Sequence, residues 1–172
     1  SSVTGVQTCA LPISFEVLAG EATHPNPSVR SELVLALAFA SGAEGMVGGQ
    51  SFDLQAETTT FGLDDIIRLQ AMKTGALFRF SCEAGGILGE ATGAQRKALR
   101  DYARDLGLAF QIADDLLDHE GTEAEVGKKV GKDAAQGKAT FVSLLGADEA
   151  RKRARSQIGR ATSELQSHLN LV

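Results

Sequence analysis

Three carboxylates and an amide crowd into eight residues of this chain: Gln111, Asp114, Asp115 and Asp118, in the run Gln-Ile-Ala-Asp-Asp-Leu-Leu-Asp. The run is otherwise apolar and reads as helix. Positions 111 and 115, and 114 and 118, are each one i,i+4 step apart, so the polar groups gather toward one side. Carboxylates this close are costly to bury unless a cation neutralises them. Hard divalent cations take oxygen ligands, and Mg2+ characteristically bridges one or two carboxylates to substrate phosphates. The sharp reading is a magnesium–diphosphate site; the plain one is a solvated helix face.

The residues downstream of the motif favour the sharp reading. Gly121 is followed by Gly127, Lys128, Lys129, Gly131 and Lys132, then by Gly137-Lys138-Ala139-Thr140. Lysines therefore sit close in sequence to the aspartates, in a glycine-broken segment able to fold back over a ligand. Carboxylates for the metal and ammonium groups for phosphate oxygens are what a magnesium diphosphate requires. No GxxxxGK[ST] run occurs, so nucleotide binding through a P-loop has no support.

The elements that must carry these groups read as helices. Strand-like alternation is nearly absent, and the three prolines all precede residue 28. After an opening of fourteen residues without helical periodicity, Phe15 to Gly20 reads as a helix stub. His24 to Ser28 reads as a turn, with Ser28 as a candidate cap. Val29 to Leu54 is helical but broken by glycines 42, 45, 48 and 49, which points to close helix packing or backbone near a ligand. Further helices are expected from Asp64 or Asp65 to Leu88, from Gln95 to Leu117, from Ala139 to Leu145, and from Asp148 to Leu171. On the last, Arg151, Lys152, Arg153 and Arg155 read as a solvated face. The sum is an all-α chain, five or six helices packed as part of a bundle.

Composition narrows the class further. At 172 residues the chain fits one domain with a real core. Seventeen basic and 22 acidic residues give a net charge of −5, which disfavours nucleic acid as the main partner. One tyrosine and no tryptophan leave no sign of base-stacking platforms. Cys9 and Cys82 make no disulfide framework, and Cys82 reads as a buried small residue rather than a nucleophile. No uninterrupted apolar run of about 18 residues is seen, so no membrane span is expected and a cytoplasmic location is.

Four segments, in order, resemble those of the trans-isoprenyl diphosphate synthases, and within them the short-chain bacterial farnesyl or geranylgeranyl diphosphate synthases. Gly45 to Leu54 is similar to the family's central helix motif and Met72 to Leu77 to its lysine–threonine motif. Phe110 to Asp118 is similar to its second aspartate-rich motif and Gly127 to Thr140 to its trailing lysine segment. The resemblance implies an isoprenoid-synthase-type helical bundle and the cofactor Mg2+. The partners it implies are isopentenyl diphosphate and an allylic diphosphate (dimethylallyl or geranyl), with a homodimer in the full-length enzyme. It assigns Asp114 to Mg2+ bridging the allylic diphosphate, with Asp115 and Asp118 as direct or water-mediated ligands. Gln111 and Asp53 would support that site, with Gln50 nearby. Lys73 and Lys128 would contact the allylic diphosphate and Lys138 would assist at the mouth. Thr74 would lie near the reacting carbon, its oxygen stabilising allylic cation charge.

The chain departs from the family pattern at its start. The first aspartate-rich motif with its arginines, and the upstream Gly-Lys-Arg segment that would hold isopentenyl diphosphate, are not found. The expectation is a bundle incomplete on its N-terminal side. Residues 1–14 would be a non-native or disordered leader, and 15–172 the C-terminal portion of a synthase domain. Two other functions stay open: a non-catalytic regulatory or partner subunit of a full-length synthase, and a class I terpene cyclase-like enzyme. Cyclases commonly mix Asn, Ser and Glu in the second metal motif, so Asp-Asp-x-x-Asp argues against the latter.

Overall fold

The computed structural model describes residues 2–56, 58–120 and 139–169. Every regular element among them is helical, as the sequence predicts. Helix α1 covers Ser2–Ala19 and α2 Pro27–Ser41. The first of these differs from the irregular leader expected through Ser14. Pro12 sits inside α1 and removes one helical hydrogen bond without ending the helix, while Ser14 Oγ donates to Ala10 O at 2.8 Å.

Helix α2 is capped by Asn26 rather than Ser28: the Asn26 side chain accepts from Ser28 N at 2.9 Å, with Pro27 in the first turn. Proline suits that turn because its fixed φ is already helical and it has no N–H to leave unpaired. Leu33, Leu37 and Ala40 are the apolar side chains that α2 buries.

The glycine-rich stretch ends α2 at Gly42 and lets α3 start at Met46, running to Gln55. By length and composition alone Pro27–Gln55 passes as a membrane span, with mean hydropathy 1.2. In the fold it is two helices of 15 and 10 residues, each shorter than the ~20 residues a bilayer crossing needs.

Helix α4, Leu63–Gln70, passes directly through a π-helical turn, Ala71–Gly75, into α5, Ala76–Leu88. The rod begins as Asp65 Oδ2 accepts from Gly62 N at 3.0 Å, with Asp64 and Asp65 complementing the positive end of the helix. Helix α6, Gly93–Glu120, has 28 residues, roughly 42 Å at 1.5 Å per residue. Thr92 and Gln95 cap it reciprocally: Thr92 N donates to Gln95 Oε1 at 2.9 Å and Gln95 N to Thr92 Oγ1 at 3.3 Å. The short α7, Phe141–Leu145, has the same device, Thr140 paired with Ser143. Gly146, at φ +80°, turns the chain into α8, Ala147–Leu169.

The most extensive helix pair among the described residues is α6 against α8. Their contact continues into a core built on Phe61, Ile66, Leu69, Ile112, Phe141 and Val142, which joins α4, α6 and α7 beneath one cavity. Arg96 bridges Glu32 of α2 at 2.7 Å and Glu83 of α5 at 3.0 Å, so a single guanidinium ties three helices together. Other apolar side chains have no cover. Leu35 and Phe39 on α2, Val47 and Leu54 on α3, and Phe110 and Leu117 on α6 are each more than half exposed.

Candidate active site

A close backbone approach between α3 and the π turn sets the site. A Cβ built on Gly49 of α3 would meet Lys73 N at 2.3 Å and Lys73 Cα at 2.6 Å. Only a residue without a side chain lets α3 lie against the π turn at that separation. One helical turn beyond Gly49, Asp53 then faces Lys73, whose Nζ donates to Asp53 Oδ2 at 2.8 Å. The pair is partly sheltered, the aspartate side chain retaining 13% of its exposure and the lysine 35%.

These two residues line a cavity of about 350 Å3 together with Thr74, Gln111, Asp114 and Asp115. The carboxylates enter from α3 and α6, the ammonium and the hydroxyl from the π turn. Ala56, Ile66, Leu69 and Phe110 supply apolar wall, and Gln70, Ala139 and Thr140 complete the lining. Phe110 lies against Phe78 with ring centroids 5.2 Å apart. Anionic oxygens beside an ammonium, a hydroxyl and an amide in a half-apolar hollow suit a ligand with a charged head and an apolar body.

The three aspartates of the motif differ in environment. Asp114 is half-buried and faces the cavity. Asp115, at 100° around the helix from it, is only 6% exposed, and its Oδ2 accepts from Phe141 N at 2.9 Å. That bond fastens α6 to the first residue of α7. Asp118, half-buried, is not among the lining residues, and Gln50 is exposed on α3 away from the cavity. Lys128 and Lys138 lie outside the described residues. Among the described residues no group of three or more His, Cys, Asp or Glu side chains is arranged to hold a metal by itself.

Gln70, Phe110 and Thr140 were given no role from sequence. Gln70 had a signal, since it stands one helical turn before Lys73. Thr140 had only its place at the end of the glycine–lysine segment. Cys82, on α5, behaves as the sequence implied: partial burial pushes its thiol pKa up, which lowers the thiolate fraction a nucleophile needs.

Comparison with known proteins converges on one family. The family described as polyprenyl synthetase matches residues 14–171. A farnesyl diphosphate synthase of Geobacillus stearothermophilus is 41% identical over 141 residues, covering 82% of this chain and 48% of that protein. The farnesyl diphosphate synthase of Escherichia coli is 40% identical over 156 residues, covering 89% of this chain and 52% of that protein. Among solved structures, a farnesyl/geranylfarnesyl diphosphate synthase from Zymomonas mobilis superposes with a TM-score of 0.80 at 50% identity, covering 91% of this chain and 52% of that one. A geranyltransferase from Helicobacter pylori, complexed with magnesium and isoprenyl diphosphate, also gives 0.80, at 29% identity, covering 91% of this chain and 50% of that one. The chain thus spans about half the length of the relatives it matches.

Proposed function

The chain belongs to the polyprenyl synthetase family, and from that premise we propose that it carries the allylic half of a magnesium-dependent prenyltransferase. The reaction is the head-to-tail condensation of isopentenyl diphosphate with dimethylallyl or geranyl diphosphate, giving farnesyl or geranylgeranyl diphosphate. The full-length enzyme would be a cytoplasmic homodimer. The observation that carries this reading is the convergence of Asp53, Lys73, Thr74, Gln111 and Asp114 on one cavity from three separate elements.

The donor set fits magnesium bound in its usual manner, through one or two carboxylates with substrate phosphates completing the shell. Asp114, which borders the cavity from α6, would hold it. When bound, the metal supplies charge neutralisation of the diphosphate leaving group. Lys73 has three donors on its ammonium; one is engaged by Asp53, and the others would serve phosphate oxygens. Gln111 would donate its amide N–H to the same group. The Thr74 hydroxyl oxygen would face the allylic carbon, where its lone pairs stabilise developing positive charge. Ile66, Leu69 and Phe110 would keep water from that cation. Asp115 and Asp118 would act on the metal through water, and Lys128 and Lys138 would close over the phosphates.

The test is titration of the chain with geranyl thiodiphosphate, an analogue slow to ionise, with and without Mg2+. Saturable binding that needs Mg2+ and is lost in Asp114→Ala is expected. Binding indifferent to both would overturn the reading.

A further inference from the structure

A second cavity, of about 340 Å3, lies where α4, the π turn and α5 meet α6 and α8, and its chemistry is cationic. Arginines reach it from three helices: Arg79 from α5, Arg104 from α6, Arg153 and Arg160 from α8. Two are already engaged. Asp105, 1% exposed, accepts from Arg104 Nε at 3.0 Å and from Arg160 Nη2 at 3.2 Å, with a further bond from Arg160 Nε. Asp101 takes a second bond from Arg104 at 2.9 Å, and Glu164 is close enough to act on both of these arginines.

Arg79 and Arg153 are different. Neither has an ion pair among the described residues, and the nearest carboxylate along α5 from Arg79, Glu83, is held by Arg96 and Arg100. Two guanidiniums with no carboxylate partner among the described residues therefore border one hollow from two helices. Between them Ile67, Ala71 and Leu108 offer apolar surface. A guanidinium matches phosphate oxygens in a fork geometry, and two that border one hollow can engage the same phosphate group.

We propose that this cavity is a second ligand site, distinct from the candidate active site, for a phosphate monoester with a compact apolar body. Arg79 and Arg153 clamp the phosphate. The buried Asp105 holds Arg104 and Arg160 as the fixed wall behind it, and Ile67, Ala71 and Leu108 receive the apolar part.

The experiment is calorimetric titration of the chain with inorganic phosphate and with n-butyl phosphate in the presence of EDTA. Chelation silences magnesium-dependent binding at the first cavity, so failure here is separable from failure of the proposed function. Saturable binding of butyl phosphate, tighter than inorganic phosphate, is expected. Arg79→Gln and Arg153→Gln should each weaken it about tenfold or more, and Asp114→Asn should leave it unchanged. Arg79 is exposed and Arg153 half-buried, and thermal melts will show that the variants fold. Absence of saturation, indifference to both arginine changes, or loss in Asp114→Asn would overturn the site. Equal affinity for the two phosphates would overturn the ligand class.

Discussion

Lys73 and Asp53 meet at 2.8 Å although twenty positions separate them in sequence, one on the π turn and the other on α3. The bond orients the ammonium without consuming it. Lys73→Ala should weaken binding of geranyl thiodiphosphate with Mg2+ by about 10- to 100-fold, the scale of a charge-assisted hydrogen bond. Asp53→Ala should weaken it less, and the double variant should be no worse than Lys73→Ala if the aspartate works through the lysine. Additive losses in the cycle would show that Asp53 contacts the ligand or its metal independently.

Gly49 is the packing point behind that pair. Gly49→Ala puts a methyl group into Lys73 backbone and should cost about 1–3 kcal/mol of stability, measured by urea unfolding. Gly85→Ala is the control, because nothing lies within 4 Å of its would-be Cβ in α5. That change should be neutral or stabilising by up to about 1 kcal/mol, the difference in helix propensity. Equal stability of the two variants would contradict the backbone contact.

Asp115 separates a structural from a ligand role by the choice of substitution. Asp115→Asn keeps a side-chain oxygen to accept from Phe141 N, and should unfold close to the parent. Asp115→Ala strands a buried N–H and should lose about 1–3 kcal/mol. Were the carboxylate's charge its main contribution to magnesium-dependent binding, the two variants would lose that binding to the same extent.

Cys82 should resist alkylation. The thiolate is the reactive form, and burial raises the pKa, so the thiolate fraction at pH 8 falls below that of a free thiol. In a Cys9→Ser background, iodoacetamide should react with the folded chain more slowly than with the urea-unfolded chain, and the difference should narrow as pH rises past the thiol's pKa. A folded-state rate equal to the unfolded one would remove the assignment.

Apart from α1, the helices and their order are legible in the sequence because glycine breaks and apolar spacing act locally. The Leu63–Leu88 rod follows from this, as does the α2–α3 break. The π turn inside the rod is not legible, since one extra residue per turn leaves the apolar pattern nearly intact over so short a stretch. A shared site for Lys73, Thr74, Gln111 and Asp114 is implied in the sequence only by motif resemblance, and their spacing alone does not show that the four line one cavity. Sequence could not rank the three aspartates: three identical side chains differ only in which neighbours each finds, and one that Asp115 finds is a backbone amide 26 positions away. Arg153 was read as solvent-facing for a similar reason, because a cavity formed between several helices has no local signature.

The Gly49 contact also governs how this region can move. With α3 lying backbone to backbone on the π turn, no side-chain layer remains between them to shear, and a sliding motion would collide at the first step. Any opening or closing of the cavity must therefore carry Asp53, Lys73 and Thr74 together as one rigid plate.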